Sequence, residues 1–325
     1  RQVYSNIVAM DQQVGEILNQ LEEDGLLDST IIFWYTDHGG PLPRQKRLLY
    51  DSGIHLPLII RFPDQFRAGE TDDQLISFVD FKSTALSLAG IEPPTYVDGR
   101  AFLGKYANTP NRDYVHAAAD RFDSEYDMIR ATRDNQFKYL RNYNPEKPYY
   151  LPLTYREQMP VMQELLRMRD AGQLNAAQAQ WFRTSKEEEE LFDIENDPYE
   201  LNNLATDPSY AEKLAELREE TDSWMNYIDD KGLMPEVELI ESMWPNGVQP
   251  MTLSPIASKA SDSDAITLRS ETEGASIGYQ VLNEGEELGT TWQIYQSPLT
   301  VLEGQTLLAI AHRIGFIPST TISIR

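Results

Sequence analysis

Residues 33–57 read FWYTDHGGPLPRQKRLLYDSGIHLP. An apolar run ends in Asp37-His38-Gly39-Gly40, and a basic cluster of Arg44, Lys46 and Arg47 follows. Ile31 to Thr36 is short, continuous and rich in β-branched and aromatic residues, which predicts a strand buried on both faces of a parallel sheet. Ligands in open α/β sheets bind beyond the carboxyl ends of strands, and Asp37 sits at that position. Asp supplies a hard anionic oxygen and His a neutral nitrogen, so the pair can donate twice to one divalent ion if Gly39-Gly40 lets the chain turn sharply. The alternative is a capping turn. A cation beside a metal is repelled unless an anion lies between them. Lys46 near Asp37 and His38 therefore points to an anionic substrate such as a sulfate or phosphate ester. The competing reading is that the cations only offset nearby acid.

Working outward, Val3, Ile7, Met10, Val14, Ile17 and Leu21 make a helical stripe closed near Gly25. LPLIIRF at 56–62 and LISFV at 75–79 predict strands, and Phe81 to Ala89 predicts a helix ended by Gly90. Residues 1–105 thus form an α/β region. Residues 106–230 change to an α+β pattern: a strand at 114–119, a hairpin around MIRATRDNQFKYLRNY, and helices at 160–172 and 208–228. Residues 231–260 are proline-rich and predict a connecting segment. Residues 261–325 alternate in short strands, as in a small β-sandwich.

The chain has 325 residues, 28 Lys and Arg against 52 Asp and Glu, and a formal charge of -24. Such a charge repels nucleic acid and anionic membranes, so nucleic acid is not an expected partner. No apolar run is long enough to span a bilayer. With no cysteine there is no disulfide, zinc-thiolate site or cysteine nucleophile in these residues.

The order TDHGG, then Lys46, then Leu49-Tyr50-Asp51-Ser52-Gly53-Ile54, then a Leu-Pro-Leu strand resembles the sulfatase family of the alkaline phosphatase-like superfamily. Val79-Asp80, Leu88-Ala89-Gly90-Ile91, Leu191-Phe192-Asp193, Asp197-Pro198, Glu200 and Asn203-Leu204-Ala205 extend the likeness over about residues 1–230. The resemblance implies an alkaline phosphatase-like α/β fold with a smaller α+β second lobe. It also implies a Ca2+ site that includes Asp37 and His38, and a sulfate-binding, catalytic Lys46. Arg121, after the 114–119 strand, is a candidate contact for a carboxylate or sulfate on the sugar; His116 reads as structural.

The likeness has a gap. Sulfatases hydrolyse sulfate esters with a formylglycine made from Cys or Ser in a Cys/Ser-x-Pro/Ala-x-Arg motif, and no such motif occurs here. The family's Asp-Asp metal pair is also missing. The resemblance therefore implies either a fragment, inactive alone and lacking the N-terminal part of the same polypeptide, or a non-catalytic carbohydrate-binding remnant. The activity it implies is hydrolysis of sulfate esters or N-sulfates of a glycan, with a phosphonate or phosphodiester hydrolase as the alternative. Residues 261–325 resemble the C-terminal β-domain of some chitobiases and hexosaminidases, which suits a secreted or periplasmic protein acting on sulfated carbohydrate.

Overall fold

The computed structural model describes residues 2–107, 110–122, 124–259 and 264–324, which fall into two compact units, Arg1–Asp230 and Lys231–Arg325. The expected boundary at 260/261 lies outside the described residues.

The first unit opens with α1, Gln2–Glu23. Its end is fixed by hydrogen bonds from Gly25 N to Glu22 O and Leu26 N to Leu21 O, with Gly25 at φ +69°. Strand β1 (Ile32–Tyr35) leads into the loop of the Asp-His pair. A single helical turn, α2 (Asp51–Ile54), then returns the chain to β2 (Leu58–Arg61). β1 and β2 pair antiparallel, Phe33 opposite Ile60, and not in the parallel arrangement predicted from composition. Nor is β1 buried on both faces: Tyr35 is 45% exposed, and Ile59 across from Trp34 is 62% exposed. The apolar side chains are covered on one side by Phe78 and Phe81, whose rings approach Tyr35 at 5.7 and 4.9 Å. The predicted strand at 75–79 forms no ladder among the described residues; Val79 instead begins α3 (Val79–Leu88).

The rest of this unit is built on a four-stranded antiparallel sheet in sequence order: β3 (Val115–Phe122), β4 (Glu125–Arg133), β5 (Phe137–Asn142) and β6 (Glu189–Asp193). The hairpin read from MIRATRDNQFKYLRNY is β4–β5, with Ala131 opposite Leu140. Between β5 and β6 lie α4 (Thr154–Glu157), α5 (Pro160–Asp170) and α6 (Ala176–Gln180), and α7 (Ala211–Tyr227) follows β6. Strand period two divides the sheet into unlike faces. One face carries Tyr139 and Leu191 against Leu214 and Leu217 of α7. The other carries Ile129, Ala131, Leu140 and Phe192 against Leu48, Leu49 and Tyr50, so the loop leading into α2 is part of the sheet's core.

In the second unit, α8 (Glu236–Met243) lies within the segment read as a connector, because the prolines there flank the helix without interrupting it. The strands are β7 (Ile256–Lys259), β8 (Ala265–Arg269), β9 (Ser276–Leu282), β10 (Gln293–Ile294), β11 (Leu299–Thr300), β12 (Thr306–His312) and β13 (Ile322–Ile324). They form sheets of order β11-β8-β7 and β10-β9-β12-β13. Ile266 and Leu268 of one sheet and Ile277, Leu307 and Ala309 of the other share one core. Tyr295 packs against this core.

Candidate functional site

Asp37 and His38 follow β1 directly. Two glycines hold their loop in place. A Cβ on Gly39 would meet Ser52 O at 2.1 Å, and one on Gly53 would meet Leu48 O at 2.3 Å. Only bare backbone lets the Asp-His loop lie on the α2 turn, and Gly39 N donates to Gly53 O at 2.9 Å. Lys46 N donates to Gly40 O at 3.1 Å, tying the basic segment to the same loop.

The α2 turn is in turn held by the sheet. Lys138, fully buried on β5, places Nζ 2.6 Å from Asp51 Oδ1, 2.6 Å from Glu200 Oε1 and 3.0 Å from Leu49 O. Arg133 of β4 lies 3.4 Å from Asp51 Oδ1, and His55 lies 3.4 Å from its Oδ2. Glu200 Oε2 accepts from Asp51 N at 2.7 Å. Burial works to raise the Asp51 carboxyl, but the His55 hydrogen bond and the Lys138 charge outweigh it and hold Asp51 well below the usual range. Burial raises Glu200 in spite of Lys138. The stretch Asp197 to Asn203 is therefore scaffold: Asp197 Oδ2 accepts from Leu201 N and Asn202 N, and Arg44 donates to the carbonyls of Tyr199 and Glu200. Arg44 also stacks on Tyr50 at 3.9 Å, so its partners are carbonyls and a ring.

A cleft of about 1690 Å³ is lined by Asp37, His38, Asp51, His55, His116 and Arg133, among others. The Asp37 side chain is 83% exposed and its Oδ2 lies 3.3 Å from His38 Nε2, while His38 Nδ1 lies 2.7 Å from Gly39 O. One exposed carboxylate beside one imidazole suits a hard divalent ion as a partial donor set. Among the described residues, no three His, Cys, Asp or Glu side chains gather as a metal site. The Asp37 carboxylate offers the oxygen chemistry that calcium takes, and the His38 imidazole offers a borderline nitrogen.

Lys46 and Arg121 are not among the residues lining that cleft. Lys46 Nζ lies 5.7 Å from the centroid of Tyr155, and Arg121 sits over Tyr126 at 5.5 Å, beside an irregularity in the β3–β4 pairing. His116, on β3, stacks on Trp224 at 4.8 Å with planes 7° apart and lies 3.0 Å from Glu220 Oε1. Burial and then the nearby Arg112 charge depress it to about 4, which disfavours its charged form. Lys138 and Arg133 were missed as residues that position the site. The signal was there: Lys138 shares a strand face with Leu140 and Asn142, where a lysine needs an anion to be buried.

The chain is similar to known sulfatases. The family model described as Sulfatase matches residues 1–91. An ulvan-active sulfatase of Formosa agariphila is 56% identical over 99% of this chain and 54% of its own length. A solved complex with its substrate D-glucosamine-2-N,6-O-disulfate is 25% identical, with a TM-score of 0.52, over 70% of this chain and 41% of that one. A 2-O GAG sulfatase structure shows the same fold at 21% identity and a TM-score of 0.51, over 68% of this chain and 42% of that one. The chain spans about half the length of the curated relatives it matches. By these matches the chain belongs to the sulfatase family.

Proposed function

We propose that this chain supplies the metal- and sulfate-binding half of a sulfatase that hydrolyses sulfate esters or N-sulfates of a glycan. The observation that carries this reading is the Asp37-His38 pair, presented to a cleft beside an α2 turn that four charged groups hold in place. In this reading Asp37 and His38 donate to calcium, which when bound neutralises charge on the sulfate oxygens. Lys46 binds a sulfate oxygen and stabilises the charge that develops there. Asp51, fixed by Lys138, holds the turn that carries the Lys46 segment. Arg121 contacts an anionic group further along the sugar. No Cys/Ser-x-Pro/Ala-x-Arg motif occurs in these 325 residues, so the reading assigns them no formylglycine.

Sulfate is favoured over phosphonate or phosphate diester by the relative at 56% identity, an ulvan-active sulfatase. The second unit, with its two sheets on one core, is read as a β-sandwich carbohydrate module of the chitobiase type, and the whole as secreted or periplasmic. Among the described residues no helix is long and apolar enough to cross a membrane.

The test uses protein purified from its native host and offered a panel of sulfated glycan oligomers and a phosphonate monoester. Release of inorganic sulfate, reduced by about two orders of magnitude in Lys46→Ala, is the expected result for a residue stabilising transition-state charge. Faster cleavage of the phosphonate would move the assignment to that class, and binding without cleavage would make the protein a carbohydrate-binding remnant.

A further inference from the structure

Four acids of the first unit are 2% exposed: Asp80, Asp127, Glu190 and Glu200. Asp80 pairs with Arg112, Asp127 with Lys186 and Glu200 with Lys138. Glu190, on β6, differs: among the described residues no cation lies at ion-pair distance from it. Its hydrogen-bond donors are neutral. Asn142 Nδ2 reaches Oε1 at 2.7 Å, Tyr149 Oη donates to the same oxygen, and Tyr50 Oη lies 3.3 Å from Oε2. The charged groups around the two tyrosine rings are engaged elsewhere. Arg44 lies over the Tyr50 ring at 3.9 Å and donates to the carbonyls of Tyr199 and Glu200. Arg183 lies over the Tyr149 ring at 4.8 Å and donates to Gln180 O, while Lys186, over the same ring, is held by Asp127. Glu189, the neighbour on β6, pairs with Arg218.

A carboxylate buried without a cation is costly even when it is hydrogen-bonded. Burial raises the Glu190 carboxyl above its ordinary 4.5, against the pull of the Tyr149 and Asn142 hydrogen bonds and the Arg183 charge. A proton on Glu190 also has an acceptor within the same cluster. Asn142 Oδ1 is buried without a partner, and Asn142 and Glu190 share with Leu48 and Leu49 a cavity of about 10 Å³, roughly the room of one water. Tyr50 links this cluster to the support of the Asp-His loop. Its carbonyl accepts from Gly53 N at 2.8 Å and from Ile54 N at 3.1 Å, so it opens the α2 turn on which Gly39 rests.

We propose that Glu190 is a positioning residue with a proton-operated grip: carrying a proton it holds Tyr50 and the α2 turn, and as a carboxylate it releases them. A carboxylate here regains water only if the Tyr50 and Tyr149 rings, 5.9 Å apart, separate, and Tyr50 is the one attached to the turn. The closed turn binds the proton more tightly than an opened one, so its stability falls as pH rises from the ordinary glutamate value to the folded one. The contribution is complete below about 4.5 and is lost as pH climbs through the folded value. The sense is opposite to that of His116, which burial depresses. The grip acts on the support of the site, whatever anion Lys46 binds.

Amide exchange of the intact protein at residues 44–54, followed from about pH 5 to about pH 8 and corrected for the intrinsic rise of exchange with pH, tests the grip. Protection there should fall about tenfold for each pH unit over which Glu190 is protonated in the closed turn and ionised in the open one. Glu190→Gln keeps the shape and cannot ionise, so it should hold protection constant across the range. A merely structural Glu190 would give a variant with lower protection at every pH and the parent's slope. That outcome overturns the proposal, as does flat protection in the parent. If circular dichroism shows Glu190→Gln to be unfolded, carbon-13 NMR of the assigned Glu190 carboxyl in the parent decides. Titration above 4.5 supports the grip, and titration at or below 4.5 overturns it.

Discussion

The β1–β2 ribbon and the β3–β6 sheet lie in one unit and solve opposite problems. The ribbon has two strands, leaves Tyr35 and Ile59 exposed, and carries Asp37 and His38 at its end. The sheet has four strands and buries Tyr139, Leu191 and Lys138 completely. Yet the sheet fixes the site, because its inward polar residues grip the α2 turn on which the ribbon's loop rests. Precision at Asp37 and His38 is borrowed from Lys138. Breaking the comparison therefore means cutting that link first.

The largest effect is expected for Lys138→Met. It would leave Asp51 and Glu200 as buried carboxylates without their shared ammonium, with Arg133 and His55 still near Asp51. Loss of one partner from such a cluster costs about 3 to 5 kcal/mol. Urea denaturation followed by far-UV circular dichroism reads it directly. A loss below about 1 kcal/mol would show that the sheet does not hold the turn.

Gly53→Ala tests the next link, where loop meets turn. The added methyl would lie 2.3 Å from Leu48 O and 2.5 Å from Gln45 O, both backbone atoms that cannot swing aside. Overpacking of this kind costs about 1 to 3 kcal/mol. Amide exchange should show the loss concentrated at residues 37–54 and absent from β4 and β5.

A third measurement sharpens the contrast through pH, using His116 on the sheet side. The folded state holds His116 at about 4, below its unfolded value, so between those two values the unfolded chain binds the extra proton. Stability should be complete above about 6.5, the unfolded value, and should fall as pH drops toward 4. Glu220 and Arg112 face the ring, and burial raises Glu220, with a further push from Asp113. His116→Gln should flatten this slope. A slope unchanged in that variant would place the acid sensitivity elsewhere.

What could be read from the sequence divides along the same line as the two regions. Asp37-His38, Lys46 and the Tyr50-Asp51 turn are contiguous, so their motif carried the family, and alternation in FKYLRNY was enough to place β5. The direction of β1 against β2 was not readable, because a short apolar run fits a parallel or an antiparallel partner equally well and pairing is set by tertiary context. The cleft wall was hidden for a different reason. Lys138 meets Asp51 and Glu200 across long sequence separations, and Arg44, Arg47 and Glu200 adopt left-handed backbone, which no glycine announces. Arg44 donates to the carbonyls of Tyr199 and Glu200, a partner type that charge patterning does not reveal.

The smallest stability effect is expected at the proposed metal pair, and its smallness is informative. Asp37 is 83% exposed, and among the described residues its one ion-pair partner is His38 at 3.3 Å. Removing the carboxylate in Asp37→Ala deletes no buried contact, so the apo protein should change by no more than about 0.5 kcal/mol. Calcium should tell the variants apart. A ligand that binds only the folded state raises the melting temperature in proportion to the logarithm of its concentration over its dissociation constant. The parent should therefore shift upward with millimolar calcium, and Asp37→Ala should not. Magnesium, smaller and slower to give up its waters, should produce less of a shift in the parent. Equal calcium shifts in parent and variant would remove Asp37 from the metal site while leaving the Lys138 cluster as the anchor of the turn.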